Sequence, residues 1–205
     1  MLGSIKYNLS HLLDFSGRDA RQTFWYYVLF LSIVYMALSM IGAFVLMGSL
    51  IGPIVETANS GASEQQMQAH MAQEMGSIMS RMMTIVLYGS MVANAIFDAL
   101  LAASFVRRLH DSDSSGWWGL VVVAAQLAGM ALMIPMMDTM QQFMAQGMNP
   151  EAMQNPAYMN AMMAQQSKFG LYGLLGWVGP ITVIVFGVMA STEGPNRFGE
   201  APVRF

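Results

Sequence analysis

Residues 82–106 read MMTIVLYGSMVANAIFDALLAASFV. The stretch is apolar almost throughout, and Asp98 is its one formally charged residue. About 20 residues of this kind are enough for a helix to cross the roughly 30 Å hydrocarbon core of a bilayer. Apolar and polar positions do not alternate along the stretch, as they would in a strand of a membrane β-barrel. The stretch therefore predicts a membrane-spanning helix.

Three further apolar stretches, at about 24–50, 117–137 and 169–190, predict three more membrane-spanning helices. The composition of the whole chain agrees, because 55% of the residues are hydrophobic and 10% are charged, whereas soluble domains are usually about 25% charged. We therefore expect residues 1–205 to form a single all-α membrane domain, a bundle of about four transmembrane helices.

The composition also excludes several classes of protein. The chain contains no cysteine, which excludes a disulfide-stabilised domain and thiolate chemistry. Lysine and arginine total 9 against 12 aspartates and glutamates, a balance that argues against a nucleic-acid-binding protein. The high apolar content and the small net charge of -3 exclude a disordered chain.

The lysines and arginines predict how the chain is threaded through the membrane. Seven of them lie before the first span, between the second and third spans, or after the fourth, whereas Arg81 and Lys168 lie in the other two segments. Cytoplasmic segments of membrane proteins are enriched in these residues. We therefore expect both termini in the cytoplasm and two outward loops, at 56–81 and 138–168.

Methionine is unusually frequent, at 23 residues, and many methionines lie in the two outward loops. Met67, Met71, Met75 and Met79 recur every four residues, which predicts a helix, either an extension of the spans or a flap on the membrane surface. Thioether sulfur suits Cu(I) and Ag(I), so Met67, His70 and Met71 are candidate ligands for a soft metal. The alternative is that methionine serves as a flexible apolar residue for packing, and its abundance inside the spans favours that interpretation.

Two patterns near the N-terminus predict local helical structure. Within residues 2–13, four apolar side chains share one helical face: Ile5, Leu9, Leu12 and Leu13. This face predicts a short interfacial helix lying on the membrane surface. Further along, Ser16 and Asp19 have the spacing of a capping box, which predicts that Ser16 caps the start of a helix.

The spans carry a few polar residues at similar depth, about 13 Å inside the cytoplasmic boundary. The predicted polar layer consists of Asn94, Asp98, Gln126 and Thr182. A charged residue inside a span is costly and suggests a function by default. We expect Asp98 to point into the bundle toward Gln126. The alternatives are interhelical hydrogen bonding and a proton or ion relay in a small transporter or channel-like oligomer.

Small residues within the spans predict close helix packing. Gly48 and Gly52 form a Gly-x-x-x-Gly pair, and Gly170, Gly173 and Gly176 recur every three residues. Residues of this size let two helix backbones approach each other inside a membrane. Both sets of glycines therefore permit close helix packing.

Arginines gather at the face where both termini and the segment between the second and third spans meet. This predicted basic rim consists of Arg18, Arg21, Arg107, Arg108 and Arg197, with counter-charges from Asp14, Asp19, Asp111, Asp113 and Glu193. Guanidinium groups pair with carboxylates or phosphates. The rim is therefore a salt-bridge network that fastens the loops, an anion site for lipid headgroups or a phosphorylated ligand, or a docking site for a partner protein.

Three motifs at this face carry a resemblance to a known family. They are Gly17-Arg18 with Arg21 and Phe24-Trp25, Arg107-Arg108-Leu109-His110-Asp111 with Ser115-Gly116-Trp117-Trp118, and Asn196-Arg197-Phe198-Gly199. In this order they resemble the domain of unknown function (DUF) 805 family, small proteins of the bacterial inner (plasma) membrane. The resemblance implies this location and this threading, and it carries no established activity. The motif residues at the cytoplasmic face are Arg18, Arg21, Trp25, Arg107, Arg108, His110, Asp111, Gly116, Trp117, Asn196, Arg197 and Gly199.

The functional expectation is an integral membrane protein without enzymatic activity. The sequence has no Gly-rich phosphate loop, no His-Glu-x-x-His and no Gly-x-Ser-x-Gly motif, and His110 with Asp111 is too few ligands for a metal site. We expect no cofactor and no nucleic acid. The expected partners are membrane lipids, with a second copy of the chain or another membrane protein as a further partner.

Overall fold

The computed structural model describes residues 1–59, 64–147 and 154–202, and it describes side chains of the third helix only from Arg81 and of the fourth only to Ile134. This part of the chain is all-helical and contains no strand, which confirms the predicted fold class. The helices are α1 (Leu2–Ser10), α2 (Arg21–Asn59), α3 (Glu64–Asp111), α4 (Trp117–Gly147) and α5 (Pro156–Val188).

Four of the five helices are long and apolar enough to cross a membrane. The candidate spans are Arg21–Gly48, Arg81–Asp111, Trp117–Ile134 and Pro156–Val188. They belong to α2, α3, α4 and α5 in that order, as the four apolar stretches of the sequence predict. The chain is therefore a multi-pass membrane protein.

The chain divides into two compact units. The first comprises Met1–Tyr35, Ala93–Ala131 and Leu171–Phe205, and the second comprises Met36–Val92 and Leu132–Gly170. In the second unit, α2 and α4 continue past their apolar stretches, to Asn59 and Gly147, while α3 and α5 begin well before theirs. The outward loops are thus largely helical extensions of the spans. The candidate metal ligands Met67, His70 and Met71 lie outside the described side chains.

The buried core of the first unit is built by three helices. Phe24, Tyr27 and Leu31 of α2 face Leu101, Phe105 and Leu109 of α3, and Val122 of α4 completes the set. The spacing of three and four residues places each set on one side of its helix. The Tyr27 hydroxyl donates to the Leu100 carbonyl at 3.1 Å, so the one polar group of this core is satisfied. Most other apolar side chains of the spans are exposed, as expected where the solvent is lipid.

Close helix contacts occur at glycines other than the predicted ones. A Cβ atom at Gly187 of α5 would lie 2.8 Å from Trp25 Cζ2, and one at Gly179 would lie 3.3 Å from Val122 Cγ1. In contrast, nothing within the described part of the chain lies within 4 Å of a Cβ built at any of the glycines predicted to make contacts, which are Gly48, Gly52, Gly170, Gly173 and Gly176. The described residues therefore show no close contact at these five glycines. Spacing along one helix does not say which face meets a neighbour.

The short helix α1 faces the protein with its polar side. Ser4, Ile5 and Asn8 are buried, whereas Leu9 is exposed. The predicted apolar face, which grouped Ile5 with Leu9, is therefore wrong. The reason is that Asn8 accepts a 2.6 Å hydrogen bond from Arg107 Nη2, which turns this side of the helix inward. The opposite side carries Leu2, Lys6, Leu9 and, just beyond the helix, Leu13, all of them exposed.

Candidate functional site

A cluster of buried charges lies at the end of the first unit where the N-terminal segment, the end of α3 and the C-terminal tail meet. This arginine cluster consists of Arg18, Arg107, Arg108, Asp19 and Asp111, and each of them exposes 6% or less of its surface. Charged side chains are almost never this buried unless they are paired, because removing them from water costs several kcal/mol each. Their pairing therefore decides what the cluster can do.

Asp111 is the centre of the cluster. Its Oδ1 accepts hydrogen bonds from Arg18 Nη2 at 3.0 Å and from Arg18 Nε at 3.2 Å. Its Oδ2 accepts hydrogen bonds from Arg108 and from the Ser191 hydroxyl. The carboxylate thus joins the segment before α2, the last turn of α3 and the tail after α5.

The same arginines satisfy carbonyl groups at the end of α5. Arg108 donates from Nε to the Gly187 carbonyl at 3.3 Å and from Nη2 to the Met189 carbonyl. Arg18 donates to the carbonyls of Gly194 at 2.7 Å and Thr192 at 2.8 Å. The last carbonyls of a helix have no partner within it and favour a positive charge nearby. The guanidinium groups of Arg108 and Arg18 supply both the hydrogen-bond donors and the positive charge for the carbonyls of α5 and of the tail after it.

Arg107 fastens the N-terminal segment. Its Nε donates to Asp19 Oδ1 at 3.1 Å, and Ser104 donates to Asp19 Oδ2 at 2.8 Å. Its Nη1 donates to the carbonyls of His11, at 3.0 Å, and Asp14. Together with the hydrogen bond from Nη2 to the Asn8 side chain, every nitrogen of this guanidinium is engaged.

The predicted capping box is replaced by these contacts. The helix α2 begins at Arg21, and the Ser16 hydroxyl donates to Asp14 at 2.5 Å. Asp19 is held by Arg107, 88 residues away, so it does not cap the helix. The capping-box prediction is therefore wrong, because a buried ion pair competes with local capping for the same carboxylate.

Two carboxylates of the N-terminal segment, Asp19 and Asp14, have pKa values shifted in opposite directions. Burial raises the pKa of Asp19 above its usual value, although the charge and hydrogen bonds of Arg107 act to lower it. Hydrogen bonds from Ser16 lower the pKa of the exposed Asp14. Because folding lowers the pKa of Asp14, its ionised form stabilises the folded state. This contribution is lost as the pH falls below the usual aspartate pKa of about 3.9.

The remaining motif residues pack around the cluster. The His110 ring stacks on Phe198 with centroids 3.9 Å apart, and its Nδ1 lies 3.2 Å from the Gly17 carbonyl. Asn196 donates to the His110 carbonyl at 2.8 Å. A Cβ at Gly116 would lie 3.3 Å from His110 Nε2, so this glycine makes room for the ring. His110 thus acts as a packing centre for the tail.

A tight turn ends the third motif. Asn196 and Gly199 exchange two backbone hydrogen bonds of 3.0 Å. Gly199 has a φ of 132°, a conformation that other residues rarely adopt. The turn presents Arg197 outward, where 61% of its side chain is exposed and it pairs with Asp113 at 3.0 Å.

Three further motif residues stay nearer the surface. Arg21 is exposed and its Nη1 lies 3.5 Å from the Val188 carbonyl. Trp25 is partly buried and donates to the Gly187 carbonyl at 3.0 Å. Trp117, at the start of α4, is 74% exposed, a position typical of the aromatic belt at a membrane interface.

The predicted rim therefore divides into two sets of arginines. Every guanidinium nitrogen of Arg18, Arg107 and Arg108 donates a hydrogen bond within the chain. These three side chains expose 6% or less of their surface, so they are not placed to meet an external phosphate. Of the five rim arginines, Arg21 and Arg197 remain on the surface, where a ligand can reach them.

The structure brings together one pair of the predicted polar layer. Gln126 Nε2 donates to Asp98 Oδ2 at 2.8 Å, which is the predicted contact. The Thr182 hydroxyl instead donates to the Val178 carbonyl of its own helix at 2.7 Å. Asn94 lies one turn before Asp98 on α3. The Asp98–Gln126 hydrogen bond therefore joins α3 and α4 at the level of this layer.

Several partners of the cluster carry little signal in the sequence. Ser191 and Thr192 lie three and four residues after the end of α5, and Asn8 and Ser104 lie in helices. Small polar residues are common both in helices and after helix ends. The sequence therefore does not distinguish these four residues, and only their contacts with the arginines show their role. Among the residues whose side chains the structure describes, no group of three histidines, aspartates or glutamates is placed to hold a metal ion.

Fold and site together define a small multi-pass helical membrane protein whose three motif segments are fastened by a buried arginine cluster. A family model described as "Protein of unknown function (DUF805)" matches residues 12–200 of the 205. The chain therefore belongs to this family. No curated protein and no solved structure gives a significant match.

Proposed function

We propose that this protein is a non-enzymatic component of the bacterial inner membrane that binds anionic lipid headgroups at its cytoplasmic face. In this proposal the arginine cluster is structural. Lipid binding falls to the cations that the cluster leaves exposed, above all Lys6 and Arg21. A partner protein at the same face is the alternative.

The outward side of α1 carries the proposal. Leu2, Leu9 and Leu13 are exposed there, with Lys6 between them. A helix that combines exposed apolar side chains with a cation binds at the boundary between headgroups and acyl chains. Lipid is favoured over a partner protein because the exposed tryptophan Trp117 also suits the interface.

The orientation of the chain is part of the proposal. Of the eight lysines and arginines within the described residues, six lie in the segments at the end of the molecule that holds the arginine cluster, and the positive-inside rule places such segments in the cytoplasm. The motif segments and α1 would then face the cytoplasmic leaflet, where anionic lipids attract basic residues.

Cysteine labelling tests the orientation, because the natural chain has no cysteine. We expect Ser167→Cys to react with a membrane-impermeant maleimide in intact bacteria whose outer membrane has been permeabilised. We expect Glu200→Cys to react only after the inner membrane is opened. Both positions are exposed, so they form a matched pair. The reverse pattern of labelling would show that the termini face outward.

Native mass spectrometry tests the lipid proposal. The protein is released from nanodiscs that contain equal amounts of phosphatidylglycerol and phosphatidylcholine, and the ratio of the two retained lipids is measured. A cation near the membrane surface contributes about 1 kcal/mol to anionic lipid binding. We therefore expect Lys6→Gln and Arg21→Gln each to lower the retained ratio about fivefold.

Lys168→Gln is the control for this measurement. Lys168 is also exposed, but it belongs to the outward loop 138–168 and not to the motif segments. It should leave the ratio within about twofold of the wild type, well below the fivefold change expected for one surface cation. If all three variants retain the wild-type ratio, lipid headgroups are not bound by these cations, and the partner-protein alternative takes precedence.

A further inference from the structure

A narrow cavity lies between α3 and α4 inside the membrane-spanning part of the first unit. Its volume is about 260 Å³. The α3 wall is lined at 98, 101, 102, 105 and 106, a spacing of three and four residues that marks one helix face. At 1.5 Å per residue, the distance from Asp98 to Val106 along the helix is about 12 Å. The cavity is therefore an elongated slot rather than a round pocket.

The walls of the slot are apolar except at one end. Among its lining residues Asp98 alone is charged, while the others are aliphatic, aromatic, alanine or glycine. Phe15 lines the slot from the N-terminal segment. Apolar pockets with one polar group at a defined place are typical of binding sites for small molecules.

The slot is open toward the surface that faces lipid. Leu120 and Val123 line it and are themselves 54% and 41% exposed. On the opposite side, α4 approaches α3 at Gly119, where a Cβ would lie 3.3 Å from Val106 Cγ2. A molecule dissolved in the bilayer can therefore enter from the side without crossing the arginine cluster.

Asp98 presents a hydrogen-bond acceptor to this slot. Its Oδ2 is held by Gln126 at 2.8 Å, which fixes the side chain in place. An acceptor in an apolar wall is best matched by a donor, and a carboxylate is best matched by a cation, because charge-assisted hydrogen bonds are about twice as strong as neutral ones. The complementary ligand thus has a donating, positively charged head and an apolar body.

We propose that the slot binds lipophilic amines, each with one apolar chain and one ammonium group that pairs with Asp98. The chain lies along the face of α3 between Asp98 and Val106, and the ammonium group donates to the Asp98 carboxylate. This site differs in place and chemistry from the proposed headgroup contacts at α1, so either proposal can fail without the other.

Paired probes of equal chain length test the site. Radiolabelled decylamine and decanol are bound to the full-length protein in phosphatidylcholine nanodiscs at pH 7, and empty nanodiscs supply the background from partition into lipid. A hydrogen bond to a charged group contributes about 1.5–3 kcal/mol. We therefore expect the wild type to bind decylamine at least about tenfold more tightly than decanol.

Two substitutions test separately how the slot binds the ammonium group and how it binds the apolar chain of the probe. Asp98→Asn should reduce the preference for decylamine to about twofold or less, with decanol binding unchanged, because the remaining hydrogen bond is between neutral groups. Ala102→Leu fills the slot and should weaken both probes about tenfold, since the added side chain takes the place of the ligand chain. Ala99→Leu is the matched control, because Ala99 is exposed on the same helix and does not line the slot. It should change neither affinity.

Each outcome decides the proposal. Equal binding of the two probes to the wild type, or a preference for decylamine that survives Asp98→Asn, would show that the carboxylate does not recognise the ammonium group. Equal effects of Ala102→Leu and Ala99→Leu would show that the probes bind elsewhere. The wild-type comparison and the alanine pair do not alter Asp98, so they test the proposal even if Asp98→Asn fails to fold.

Discussion

Asp111→Asn should lower the free energy of unfolding by about 3–5 kcal/mol, the usual cost of leaving a buried ion pair with one partner. The substitution removes the carboxylate that Arg18 and Arg108 share. It also turns an amide N–H₂ donor toward groups that are themselves donors, so at least one buried hydrogen bond is lost. In a chain of this length the midpoint of thermal unfolding should fall by about 10 °C.

Asp113→Asn is the matched control for Asp111→Asn. Asp113 also pairs with an arginine, Arg197, but both side chains are largely exposed. Exposed pairs contribute about 0–1 kcal/mol, so the midpoint should move by no more than about 3 °C. Thermal unfolding in one detergent, followed by size-exclusion chromatography of heated samples, compares the two. Equal shifts for both variants would contradict a structural role for the buried cluster.

Gly187→Ala should lower the free energy of unfolding by about 1–3 kcal/mol, the usual cost of overpacking. The added methyl group would lie 2.8 Å from Trp25 Cζ2 and 3.0 Å from Phe24 Cε1. It would push α5 away from α2 and strain the 3.0 Å hydrogen bond from Trp25 to the Gly187 carbonyl. The loss outweighs the gain of about 1 kcal/mol that alanine normally brings to a helix.

Gly176→Ala separates packing from helix propensity. Gly176 lies in the same helix, and nothing lies within 4 Å of a Cβ built there. We expect this variant to be as stable as the wild type or more stable by up to about 1 kcal/mol. The same heated-sample chromatography measures both variants. If Gly187→Ala gains stability as Gly176→Ala does, the close approach of α2 and α5 is not required.

The number and order of the spans follow from the sequence because hydropathy and length are local properties. An apolar stretch of about 20 residues has few alternatives to crossing a bilayer as a helix. The same locality limits the prediction of helix ends. The helix α2 continues to Asn59 and α3 begins at Glu64, because a helix does not have to end where the apolar stretch ends.

The meeting of the three motif segments is also foreseeable from the sequence, because one threading of four spans brings these basic segments to one face. Which arginines are buried is not foreseeable in this way. Arg107 finds Asp19 and Asn8 at separations of 88 and 99 residues, and no local spacing encodes such a pairing. The errors at α1 and at the capping box have this common cause. In both cases the guanidinium of Arg107 forms a hydrogen bond with a side chain, Asn8 or Asp19, whose role was predicted from neighbouring residues alone.

The arginine cluster also bears on the order in which the protein is made. Two of its cations, Arg18 and Arg108, depend on carbonyl groups between Gly187 and Gly194, which leave the ribosome after the other two motif segments. Chains are made from the N-terminus, so these acceptors become available only once the last motif segment has been made. Complete burial of the cluster therefore requires the C-terminal tail. A chain stopped before Pro156 would lack α5 and these carbonyls, and the hydrogen bonds that Arg18 and Arg108 donate to them could not form.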